Sequence, residues 1–169
     1  MRHLVLILVL SVLVAAVPAG ASAATTYNDS VSGFEYWATS TQGRFTGSAS
    51  GSLPGYWNAV VNHTPLSLTA TPTATITGGR VELATSVAGI PTVVTGNFLP
   101  GGTVQVLAPG YGCKNQTFDV NGDLTSVGAW YSGTGNGSFS AILTHYRKSF
   151  FGSCVTYSAS VSGSLTVTF

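Results

Sequence analysis

The chain has 169 residues, with 6 Lys and Arg against 5 Asp and Glu, and only 7% of its residues are charged. That balance leaves no basic stripe, which argues against nucleic acid or an anionic membrane as partner. Its 21 Gly and 7 Pro are too few and too scattered for a disordered chain.

The first residues, Met1-Arg2-His3, are a short cationic start. An uninterrupted run of small and apolar residues follows from 4 to 17, and then Pro18 and the small-residue triplet Ala21-Ser22-Ala23. Charge, apolar run and small-x-small triplet in that order predict a secretory signal peptide over 1–23. The apolar run is shorter than the roughly 20 residues needed to span a bilayer, so no membrane span is expected after cleavage. The exported chain, 24–169, has the length of one domain with a real core. Its location would be extracellular or on the exterior of the cell envelope.

Beyond the leader no helical period of useful length occurs, and alternation of apolar and polar residues recurs instead. Phe45, Gly47, Ala49, Gly51 and Leu53 form one row, and Trp57, Ala59, Val61 and His63 a second. Phe139, Ala141, Leu143, His145 and Arg147 form a third. The last is the longest: Val155, Tyr157, Ala159, Val161, Gly163, Leu165, Val167 and Phe169 alternate with Ser and Thr throughout. Turn signals lie between the rows. Gly78-Gly79 predicts a tight hairpin between 73–77 and 80–85, and Pro100-Gly101-Gly102 a second hairpin within 97–107. Asn121-Gly122 interrupts an otherwise alternating stretch from Phe118 to Leu124, and the dipeptide favours a third.

Eight to eleven strands joined by short links imply an all-β, antiparallel domain. Fully extended, residues 155–169 would run about 50 Å, against a diameter near 40 Å for a compact domain of this size. The ribbon must therefore coil or bend, with Gly163 the natural place. Long bent strands remove their edges by closing, which predicts a single antiparallel β-barrel of about 8–10 strands, with a two-sheet β-sandwich as the alternative. In an exported chain Cys113 and Cys154 are expected to form a disulfide. It would close a loop of about 40 residues, worth about 4 kcal/mol in the chain-entropy account.

Catalytic motifs are absent: there is no Gly-x-Ser-x-Gly elbow, and the alternation places no two carboxylates on the interior, Asp29 falling before the first clear strand. Glu82, Asp119 and Asp123 read as outward-facing. Glu35 is undecided, because both alternations of Gly33-Phe34-Glu35-Tyr36-Trp37 contain an aromatic. Asp119-x-Asn121-x-Asp123 has the opening of a calcium loop but lacks its glycine and its twelfth-position Glu. Two His without a carboxylate neighbour make no zinc site. No metal and no cofactor are expected.

The rows ending in His63 and in His145 and Arg147 begin apolar and finish polar on the inward face. That is the lining expected at the mouth of a barrel cavity. His63, His145, Arg147 and Trp57 are therefore the candidate ligand-binding residues, and the ligand class is a small apolar molecule with one polar end. The architecture is comparable to small secreted barrels that hold apolar ligands or, in some cases, cyclise them. Three functions follow: a non-catalytic binder, an isomerase or cyclase acting on an apolar substrate, or an envelope-associated protein whose hydroxyl-rich surface meets glycans. The sequence leans away from catalysis and sets no oligomeric state.

Overall fold

The structure is a computed structural model and describes residues 23–67 and 72–169. The leader expected over 1–23 lies, except for Ala23, outside the described residues. Among the described residues there are nine strands: β1 (Thr26–Ala38), β2 (Gln42–Gly51), β3 (Gly55–His63), β4 (Thr73–Val87), β5 (Ile90–Phe98), β6 (Thr103–Ala108), β7 (Gln116–Ala129), β8 (Ser132–Phe150) and β9 (Ser153–Thr168). A single 3₁₀ turn, Tyr111–Cys113, precedes β7.

Every pairing is antiparallel. The ladder runs β3-β2-β1-β9-β8-β7-β5-β4, and β4 pairs back onto β3. That last pairing closes the sheet into an eight-stranded barrel and rules out the open edges of a sandwich. The ninth strand, β6, lies end to end with β5. Both run antiparallel to β4, β5 against Arg80–Val87 and β6 against Thr73–Thr75. Both also pair with β7. Together β5 and β6 occupy one position in the wall.

Three predicted hairpins are therefore absent, and in each case the glycine has another use. Leu99–Gly102 is a bulge between collinear strands, held by Gly101 N–H donating to the Ile76 carbonyl and Ile76 N–H donating to Gly102, at 2.9 and 2.7 Å. Gly78 and Gly79, at φ 152° and 133°, let β4 bend within a continuous strand opposite that bulge. Gly122 sits inside β7, where a Cβ would press on the rings and methyls of Phe98 and Ile76. The Asn-Gly pair gives room to a neighbouring side chain instead of turning the chain.

The interior follows the alternation. Val31, Phe45, Ala59, Val81, Leu83, Phe139, Val161, Leu165 and Val167 are all buried, and the hydroxyl residues between them face out. Across the middle, Trp57 packs against Phe139 at 5.7 Å and Phe139 against Phe98 at 5.8 Å. These three rings come from three separate walls and plug the barrel. Trp57 fits because its β2 neighbour is Gly47, and Gly47 in turn opposes Gly33 on β1. The indole N–H reaches past them to donate to the Ser32 carbonyl at 3.1 Å. At the far end from His145, buried Asp29 accepts a hydrogen bond from Leu53 N–H at 2.7 Å, which fixes the turn between β2 and β3.

The C-terminal ribbon is solved differently from the expectation. β1 pairs with β9 only over Val161–Thr168, and β7 with β8 only as far as His145. Beyond those points β8 and β9 leave the wall as a hairpin with no strand paired on either flank. Val155 and Tyr157 are accordingly exposed, although they continue the inward row. Gly163 lets β9 approach Ala141 of β8, where a Cβ would strike the Ser140 carbonyl oxygen.

Candidate functional site

One end of the barrel is hollow. Above the aromatic plug, the ends of β1, β2, β3, β6, β7 and β8 surround a cavity of about 170 Å³. Its wall is apolar, formed by Phe45, Val61, Val104, Phe118, Val120 and Leu143. These positions continue the inward rows one or two steps beyond the plug.

Polar groups gather on one side. Glu35 continues the inward row of Val31 and Gly33 on β1, just before a bulge between Glu35 and Trp37. Its partner is His145, the last β8 residue paired with β7. His145 Nε2 donates to Glu35 Oε2 at 2.6 Å, and the two side chains are 17% and 8% exposed. Two features hold the pair in place. The Phe118 ring meets the imidazole edge-on at 5.1 Å. Gly43 opposite leaves the space that the carboxylate occupies, since a Cβ there would lie 2.8 Å from Glu35 Oε1. Nδ1 of His145 has no hydrogen-bond partner among the described residues. It and Glu35 Oε1 are the groups this pair can offer to a guest.

Other polar groups line the same cavity but are committed elsewhere. His63 Nδ1 donates to the Thr64 carbonyl at 2.8 Å. Gln42 donates to Asn62 Oδ1 at 2.6 Å, and buried Gln116 donates to the Pro109 carbonyl at 3.2 Å.

The structure thus brings two of the four sequence-predicted residues, His63 and His145, to the cavity. Trp57 belongs to the plug and has no exposed surface. Arg147 does not line the cavity: it lies on the part of β8 that has left the wall, beside a bulge at Tyr157 of β9. Its guanidinium donates to the Gly110 carbonyl at 3.1 Å, and its backbone N–H donates to Asn115 Oδ1 at 3.2 Å. Glu35 was undecided in the sequence. The signal was Val31-x-Gly33-x-Glu35, masked by the outward aromatics Phe34 and Tyr36. Cys113 and Cys154 form a disulfide with Cα atoms 5.5 Å apart, tying the 3₁₀ turn to the hairpin two residues from its Phe151-Gly152 turn.

Chemically, the site can hydrogen-bond one polar group while enclosing a small apolar body. A buried carboxylate beside an imidazole can also exchange a proton with a guest. Asp29 and Glu35 are both inward on β1, but six residues apart they sit about 20 Å from each other along the strand, so they make no catalytic carboxylate pair. Asp119, Asn121 and Asp123 lie along a strand and not in a loop, with Asn121 accepting from Ser140 at 2.6 Å. Among the described residues no three His, Cys, Asp or Glu are placed to hold a metal ion. Comparison of the chain with protein-family models, curated proteins and solved structures finds no match.

Proposed function

We propose that the protein is an exported, non-catalytic binder of a small apolar molecule with a single polar end, held in the mouth of the barrel. The observation that carries this reading is the cavity itself: an apolar wall with one buried, partly unsatisfied Glu–His pair. Its volume of about 170 Å³ is close to that of a dry cavity of about 150 Å³ known to hold benzene. The ligand is therefore the size of a single substituted ring or a short branched chain, with a hydroxyl, amide or carbonyl turned toward Glu35 and His145. Export is supported by the leader pattern and by the disulfide, which suits an oxidising compartment. N-terminal sequencing of the mature protein should begin at Ala24.

The test is calorimetric titration with phenol and with toluene. Phenol should bind saturably and more tightly than toluene. His145→Ala should weaken phenol about fivefold to tenfold, the value of one hydrogen bond, and leave toluene nearly unchanged. Absence of saturable binding by the parent protein would remove the proposal.

The Glu35–His145 contact favours one second reading, an acid–base isomerase or cyclase acting on a guest of the same size. Turnover of such a guest, lost in Glu35→Gln while binding persists, would select it over passive binding.

A further inference from the structure

We infer that the projecting β8–β9 hairpin is a docking element for an anionic lipid surface. This inference stands independently of what the cavity holds. Past His145 and Ala159 the ribbon is supported on neither flank by the barrel wall. From His145 to its tip it extends about 20 Å.

The tip is built against the interests of a soluble fold. Phe150 and Phe151 stack edge-to-face at 4.5 Å, and Phe151 is 94% exposed. The turn has φ 47° at Phe151 and 78° at Gly152. That is the two-residue hairpin geometry in which Asn, Asp or Gly is preferred at both positions. A bulky residue is disfavoured in left-handed backbone, and its exposed ring gains nothing from water. Both costs are unrepaid in the isolated protein, which points to a use outside it.

The surroundings define the partner's chemistry. Three of the six Lys and Arg residues of the whole chain, Lys114, Arg147 and Lys148, converge on the hairpin and the loop cross-linked to it. No carboxylate occurs in 109–118 or 146–160. The sequence shows no basic stripe because these groups are far apart in the chain, and the disulfide brings them together. Lys148 lies over Tyr157 at 5.2 Å, and Tyr111 is exposed on the cross-linked loop. An apolar tip ringed by Tyr and by cations is the pattern of a segment that enters the headgroup layer, with aromatics at the boundary and cations on anionic headgroups. The cavity opens at the same end of the barrel, so docking would present its mouth to the lipid.

The experiment is co-sedimentation of the disulfide-intact protein, as its producing cell processes it, with phosphatidylglycerol–phosphatidylcholine vesicles and with pure phosphatidylcholine vesicles. Binding should require the anionic lipid and fall with added salt. Phe150→Ser/Phe151→Ser should weaken it at least tenfold, and Lys148→Ser about fivefold. Phe151→Asn should raise the unfolding midpoint while lowering lipid binding, opposite signs that a purely structural tip would not give. No sedimentation with anionic vesicles would overturn the inference. So would binding that ignores the Phe substitutions, or a lipid-independent dimer that the same substitutions abolish, since the tip would then serve a second copy of the chain.

Discussion

Replacing both members of the Glu35–His145 pair by leucine should leave stability almost unchanged, whereas replacing either alone should damage it. The two side chains are 8% and 17% exposed, and they satisfy each other across 2.6 Å. Removing one strands the other against Phe118 and Leu143, and breaking a buried pair in this way typically costs about 3–5 kcal/mol. The adjacent cavity can admit water to the stranded group, so the lower end, about 3 kcal/mol, is expected for His145→Leu and for Glu35→Leu. In the double variant no polar group is stranded, two apolar side chains extend the existing wall, and the desolvation of both polar groups is removed. Such replacements are commonly neutral or stabilising by about 1–4 kcal/mol. The coupling energy from the cycle should therefore be at least about 3 kcal/mol. Urea unfolding followed by tryptophan fluorescence measures all four species. The double variant should also lose the preference for phenol over toluene, separating the pair's role in recognition from its effect on the fold. A double variant as unstable as the two single losses added together would refute this reasoning. It would mean that the two side chains contribute independently and do not act as a pair.

Three other outcomes follow from the packing. Cys113→Ser/Cys154→Ser opens a loop of 41 residues, with an upper bound near 4 kcal/mol. Because the cross-link secures a hairpin outside the wall, the measured loss should be smaller, and hydrogen exchange should quicken in 146–158 before it does at Phe139 or Leu165. Gly47→Ala puts a Cβ into the Ser32 carbonyl beneath the Trp57 indole; a cost of about 1–3 kcal/mol and a red shift of tryptophan emission are expected. Asp29→Ala strands the buried Leu53 N–H, for about 1–3 kcal/mol, and Asp29→Asn, which keeps an acceptor, should cost less; thermal unfolding compares the two.

The barrel was legible because period-two alternation is imposed by burial on one side, and Val161, Leu165 and Val167 obey it without exception. The same pattern misled where it outran the wall. Val155 and Tyr157 keep the rhythm but have no opposite strand to pack on, and nothing local marks the point of departure. Glycine was ambiguous for a physical reason: the absent Cβ serves a turn and a close approach equally well. At Gly122 and Gly43 it makes room for Phe98 and Glu35, and only the register shows which neighbour needs the space. His63 and His145 reached the cavity because they end inward rows. Arg147 did not, because β8 has left the wall after His145 and the guanidinium is held by the Gly110 carbonyl, and nothing local in the sequence marks that departure. The Glu35 contact joins residues 110 apart in the chain, so it depended on closure of the sheet.

The most direct test of a filled barrel with a receptive mouth is a methyl-resolved NMR titration with phenol. The account predicts saturable shifts at Val61, Val120, Leu143 and the His145 ring, with Leu53 and Val167 beyond the plug unmoved. Shifts that never saturate, or that spread evenly through both halves of the barrel, would contradict it.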